Sequence, residues 1–181
     1  GLEVDRPYNI VQQVGMECRY SGWVDNYADP REEIASNETF SGGPTTFSVT
    51  SAFGNRQING ITRVITSTIS LTFKVGAHEP TRIFTDVEIG RKVLIAVIYD
   101  AEGDQEFTVT GEAEIVAVGR LFKCWVLESA KGSIAYYDKY SGVLVNGTFN
   151  SKLLGGNVTY SVQLTGTTLL SLAPNTNPPV L

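Results

Sequence analysis

Ile61-Thr-Arg-Val-Ile-Thr-Ser-Thr-Ile-Ser-Leu-Thr-Phe-Lys-Val75 decides the fold class. Its odd positions carry Ile61, Ile65, Ile69, Leu71, Phe73 and Val75, interrupted by Arg63 and Ser67. Its even positions carry Thr62, Thr66, Thr68, Ser70, Thr72 and Lys74, interrupted by Val64. A repeat of two is the signature of a strand with one dry and one wet face, and branched threonines fit the pleat. Working outward, Phe107, Val109, Ala113, Ile115 and Ala117 alternate in the same way with Thr108, Thr110, Glu112 and Glu114. Gly111 sits in that run as a candidate bulge. Further strands are expected over Met16 to Val24, Thr45 to Phe53, Thr81 to Ile89, Val93 to Tyr99, Leu121 to Glu128, Ser133 to Tyr137, Gly142 to Phe149, Val158 to Leu164 and Thr168 to Leu172. Val93 to Tyr99 is apolar without alternation and reads as a central strand covered on both faces.

One segment reads as a helical turn. Asp29-Pro30-Arg31-Glu32-Glu33-Ile34-Ala35 has an Asp cap, a proline at the first position and acidic residues in the first turn. Tyr137 to Gly142 reads as a hairpin turn, with Gly142 available for positive φ. About ten short strands at regular spacing predict an all-β fold: a single antiparallel β-sandwich, immunoglobulin-like or jelly-roll-like. The expected division is an N-terminal arm over residues 1–14, the sandwich over 15–173 and a Pro/Asn-rich tail over 174–181.

Composition removes several functions. The chain has 181 residues, 42% hydrophobic and 18% charged, which argues for one folded domain. Fourteen basic against nineteen acidic residues leave a net charge of −5, the wrong sign for holding phosphates, so nucleic acid is not an expected partner. The longest apolar run, Val93 to Tyr99, is far short of the ~20 residues of a membrane helix, so no membrane span is expected.

Chemistry-bearing residues are sparse. His78 is the only histidine, so any Ser-His-Asp or Cys-His site would need it, and a lone loop histidine is ordinarily solvated. No enzyme activity is expected. Cys18 and Cys124 lack zinc spacing. They are either one disulfide or two buried thiols; secretion favours the bridge, whose loop closure would be worth roughly 4.7 kcal/mol. Two acidic loops could offer calcium oxygens: Asp25 to Glu33, and Asp100-Ala-Glu102-Gly-Asp104. Neither completes an EF-hand, and a wet turn is the plainer reading, so Asp100, Glu102 and Asp104 stand as candidate metal ligands with calcium as the only cofactor considered. Asn37-Glu-Thr, Asn146-Gly-Thr and Asn157-Val-Thr are candidate N-glycosylation triplets. Together with the start at Gly1 and the low charge they favour an extracellular, cell-surface setting.

The segment containing Gly111, Phe122-Lys-Cys124-Trp125-Val126 and Tyr136-Tyr137-Asp138-Lys139-Tyr140-Ser141-Gly142-Val143-Leu144 resembles a hairpin pattern that recurs in secreted surface proteins of archaea. The whole-chain architecture is similar to that of archaeal extracellular filament subunits of the thread and bundling-pilus type. The resemblance implies a structural subunit that polymerises with itself, lending an N-terminal strand to a neighbour's sheet. On that reading Arg6, Tyr8, Ile10, Gln12 and Val14 form the donor strand. Two other functions compete. One is a secreted carrier of lipid or another hydrophobic ligand, in which one-sided strands curve around a pocket, although no helix is long enough to plug it. The other is a carbohydrate-binding adhesion module using Tyr20, Trp23 and Tyr27.

Overall fold

The structure, a computed structural model, describes residues 17–26, 29–42, 46–58, 61–74, 83, 85–97, 104–153 and 156–168. The fold is all-β and antiparallel. Its strands are β1 (Glu17–Asn26), β2 (Asp29–Gly42), β3 (Thr46–Ile58), β4 (Ile61–Lys74), β5 (Lys92–Ala96), β6 (Asp104–Ala117), β7 (Arg120–Ser129), β8 (Ile134–Asp138), β9 (Leu144–Leu153) and β10 (Gly156–Thr167). They join in one sheet of order β4-β3-β2-β1-β10-β9-β8-β7-β6-β5. Two meanders, β1 to β4 and β5 to β10, therefore meet at a single seam where β1 pairs with β10. The expected sandwich divides its strands between two sheets, whereas these ten hydrogen-bond in one.

That sheet is curled. In a flat sheet β6 and β9 would stand about 14 Å apart, three spacings of roughly 4.8 Å. Yet the rings of Phe107 and Phe149 meet edge to face at 6.2 Å, and the Gln105 side-chain amide donates to the Asn150 carbonyl at 2.6 Å. Curling lets one layer enclose its own core. Cys18, Tyr20 and Val24 of β1, Phe107 and Val109 of β6, Leu127 of β7, Phe149 of β9 and Tyr160 of β10 all belong to one buried cluster. Phe149 stacks on Tyr160 at 4.8 Å, and Tyr20 reaches over β10 to donate its hydroxyl to the Leu144 carbonyl at 2.8 Å. A buried polar set fastens one end: Ser129 and Ser133 both donate to the Gln105 carbonyl oxygen, at 3.1 and 3.0 Å.

Several expectations are met. The deciding stretch forms β4, with Phe73 opposite Phe47 and Thr72 opposite Ser48 in register with β3. The β6–β7 ladder shifts between Val109 and Gly111, the bulge expected there. Gly142 has φ +77°, and Asp138 closes the turn before it by accepting from the Ser141 amide at 3.0 Å and hydroxyl at 2.7 Å.

Others are corrected. Asp29 to Ala35 is strand, not helix. It pairs with β1 from Asn26↔Asp29 onward, and Arg31 is held across the hairpin by Asp25. A long ladder and a bidentate ion pair outweigh the local capping signal. Val93 to Tyr99 contributes β5, an edge strand and not a central one. Val93, Ile95 and Val97 are buried nonetheless, because the curl turns this end of the sheet inward. The Thr81 to Ile89 region holds no strand among its described residues, but Ile83 and Val87 are buried and the Ile83 amide donates to the Gly142 carbonyl at 2.9 Å. In place of a helix, non-helical chain covers part of the core. The expected arm and tail lie outside the described residues.

Candidate functional site

The tip of the β6–β7 hairpin sets the site. Ala117 pairs with Arg120, leaving Val118 and Gly119 as the two turn residues, with φ of +53° and +70°. Two successive positive φ values are the pattern of a two-residue turn that twists with its strands, for which Asn-Gly is the usual sequence. Val118 takes that conformation despite its branched side chain, which packs against the core cluster together with Ile115 and Ala117.

This tip, the start of β9 and the end of β10 line an open cleft of about 380 Å³. Ile115, Val116, Ala117 and Val118 line it from the hairpin side, Val145 and Leu164 lie buried beneath it, and Asn146, Gln163 and Thr165 supply polar groups. Among the described residues no charged one lines it. Asn146 and Gln163 stand directly opposite each other in the β9–β10 ladder. The Thr165 hydroxyl is directed elsewhere, donating to the Arg19 carbonyl at 3.3 Å. Its described lining contains no acid, base or strong nucleophile.

The residues singled out from sequence fall in different places. Arg6, Tyr8, Ile10, Gln12 and Val14 lie outside the described residues, as do His78, Asp100 and Glu102. Asp104 is exposed at the start of β6, opposite Ala96. Among the described residues no three His, Cys, Asp or Glu side chains gather to hold a metal ion.

The expected Cys18–Cys124 bridge is corrected to two separate buried thiols. Cys18 belongs to β1 and Cys124 to β7, with β10, β9 and β8 between them in the sheet. The Cys18 sulfur lies 3.3 Å from the Thr167 hydroxyl, and the Cys124 thiol donates to the Phe122 carbonyl at 3.7 Å. Burial raises the Cys124 thiol far above its ordinary pKa, and the charge of Asp138 adds to the rise.

The three triplet asparagines also differ. Asn37 is opposite Arg19 in β2, Asn146 is half-buried between β8 and β10, and Asn157 is exposed beside the β9–β10 turn. The aromatic surface proposed for sugar binding is not available as expected. Tyr20 is 2% exposed and hydrogen-bonded in the core, Trp23 is roofed by the Arg31 guanidinium at 3.9 Å, and Tyr27 lies outside the described residues. Trp125 is covered in the same fashion, by Lys139, which pairs with Glu112.

Sequence reasoning named Asn146 only as a glycan acceptor and missed its pairing with Gln163. The signal was available: Leu153 and Gly156 face each other across a two-residue connection, and counting seven residues outward along each strand reaches Asn146 and Gln163.

No family model matches this chain, and no curated protein does. Among solved structures it is similar to a LolA superfamily protein from Nitrosomonas europaea, at 8% identity over 86% of each chain and a TM-score of 0.27. A likeness that loose carries no argument about fold or function.

Proposed function

We propose that this protein is a non-enzymatic carrier of a small hydrophobic ligand, bound in the cleft between the β6–β7 tip and strands β9 and β10. The observation that supports this reading is the cleft itself: about 380 Å³, open to solvent, lined by aliphatic and uncharged polar residues and with no charged residue among its described lining. Small-molecule sites commonly occupy roughly 300–1,000 Å³ and combine apolar walls with a few polar groups. The missing helical plug, which counted against a carrier at the level of sequence, is less of an obstacle when Ile83 and Val87 already cover part of the core. An extracellular setting accords with the low charge and with the exposed triplet at Asn157.

Native mass spectrometry and solvent extraction of the purified protein test the reading. A bound apolar species, or saturable binding of a fluorescent apolar probe, is expected. Ile115→Arg should abolish it by placing a charge in the wall while the far-ultraviolet spectrum stays β. Absence of any bound species, together with no saturable probe binding, refutes the carrier.

A second reading has its own support. Among the described residues β4, of 14 residues, is an edge of the sheet. A long edge without proline is a template for another strand, which suits a filament subunit that accepts the N-terminal arm of its neighbour. Electron microscopy of the full chain beside one lacking residues 1–14 decides it: filaments from the first alone support polymerisation, and small uniform particles from both refute it.

A further inference from the structure

We infer that the β4 edge pairs with β4 of a second copy of this chain, antiparallel about a two-fold axis at Ser70, joining two sheets into one closed dimer. The inference is independent of the carrier reading. It differs from the filament reading because a two-fold contact uses the same patch on both copies and stops at two.

Three observations carry it. First, the two edges of the described sheet are unlike. β5 has five residues, and its Lys92 reaches Glu106 at 3.5 Å. A short edge bearing lysine is a protected one. β4 has 14 residues, and its ladder to β3 runs without a register shift from Phe53↔Ser67 to Thr46↔Lys74. Along that stretch, about 27 Å at a rise of about 3.4 Å per residue, every second residue of an antiparallel strand turns its N–H and C=O away from its partner. Second, Ile65 to Phe73 is nine residues without charge, proline or glycine. Such a run on an open edge is a template for a further strand. Third, the run is complementary to itself. Turned about Ser70, Ser67 falls opposite Phe73 of the other copy, Thr68 opposite Thr72 and Ile69 opposite Leu71, with Ser70 opposite itself. Odd positions meet odd and even meet even, so Ile69, Leu71 and Phe73 keep to one face of the joined sheet and Thr68, Ser70 and Thr72 to the other. Threonine pairs and aliphatic pairs across strands are favourable, and no like charges meet, since Lys74 falls opposite Thr66.

The same topology explains why assembly stops. With β4 paired to β4, the joined sheet ends in β5 on both sides, and both remaining edges are the short, lysine-bearing kind. The outward backbone groups of both copies are satisfied at once, and no long template is left for a third.

Sedimentation velocity of the full chain over a concentration series tests it. A monomer of 19.7 kDa should give way to a species of twice that mass and to nothing larger. Ser70→Lys sets two ammonium groups opposite each other at the axis and should weaken the dimer about fivefold or more, and Ser70→Asp should do the same with two carboxylates. Mixing the two variants sets lysine against aspartate and should restore a dimer, which a variant that had merely lost its fold could not do. A wild-type protein that stays monomeric throughout overturns the inference. So does a dimer equally tight in both variants, or a mixture that associates no better than its parts. Species that keep growing beyond two copies also overturn it, in favour of the open filament. Ligand binding is read separately, so none of these results decides the carrier reading.

Discussion

Gly22 should be the least replaceable small residue in the described sheet. It sits inside β1, opposite Ile34 of β2 on one side and Val162 of β10 on the other. A Cβ added there would lie 1.7 Å from the Ser161 carbonyl oxygen, 2.7 Å from its carbon and 2.9 Å from the Val162 Cα. Non-bonded carbon atoms prefer about 3.5–4.0 Å, so β1 and β10 would have to part by more than about 1 Å. All three obstructing atoms are backbone, and no side-chain rotation relieves the clash. The affected ladder is also the seam joining the two meanders, so its disruption reaches both. General preference runs the other way, since alanine inside a strand is ordinarily favoured over glycine by roughly 0.5–1 kcal/mol. Overpacking costs ~1–3 kcal/mol where side chains can yield, and Gly22→Ala belongs at or above that upper end, at about 3 kcal/mol. Two other glycines calibrate the measurement. At Gly147 the added methyl would meet the Phe149 ring at 2.6 Å, a side chain that can shift, though it is stacked on Tyr160, and about 1–2 kcal/mol is expected. At Gly111 nothing lies within 4 Å, so Gly111→Ala should be neutral or slightly stabilising. Urea unfolding of the three variants, compared by midpoint at constant slope, reads the order directly. A Gly22→Ala protein as stable as the parent, or more stable than Gly147→Ala, refutes the β1–β10 seam as described.

Tyr20→Phe keeps the ring but leaves the buried Leu144 carbonyl without its donor, and chemical denaturation should show a loss of about 1–2 kcal/mol. Cys18 and Cys124 should count as two thiols: intact mass stays unchanged on reduction, and alkylation at pH 8 proceeds only after unfolding, since both are buried and the Cys124 thiolate is strongly disfavoured. The Arg31 guanidinium lowers the Asp25 pKa below its usual 3.8, chiefly through the side-chain hydrogen bond. The pair's contribution is therefore present above that value and is lost as pH falls through the lowered folded one. With both side chains largely exposed, the effect should be a small acid-side step in the unfolding midpoint that is missing in Asp25→Asn.

The strands were legible because their signal is local. The strand over Ile61 to Lys74, the Gly111 irregularity and the Asp138 to Gly142 turn each depend on a few neighbouring residues, and each is present in the structure. Whether ten such strands split into two layers or curl as one depends on which strands pair at long range. The seam of β1 with β10 joins residues near opposite ends of the chain, and no local pattern marks it. The misread edge has the same origin. Val93 to Tyr99 reads as the middle of a sheet because the run is apolar without alternation, yet β5 ends the described sheet and Val93 and Ile95 are buried without a flanking strand beyond it among the described residues. The helical turn expected over Asp29 to Ala35 shows local propensity losing to a ladder and to the Asp25–Arg31 pair.

Val118 is where sequence and structure disagree most usefully. A reader looking for a two-residue turn seeks Asn-Gly or Asp-Gly, and Val118-Gly119 gives no such sign. The residue nevertheless holds φ at +53°, a conformation that costs an L-residue roughly 1–2 kcal/mol and suits a branched side chain least. Something beyond the turn must offset that cost, and what the structure places against Val118 is the core cluster on one side and the cleft on the other. An asparagine here would ease the backbone and remove an apolar wall. The strained choice is therefore intelligible as the one that keeps an apolar side chain packed against the core cluster. It follows that the hairpin tip is shaped by what it covers, the core cluster against which Val118 packs together with Ile115 and Ala117.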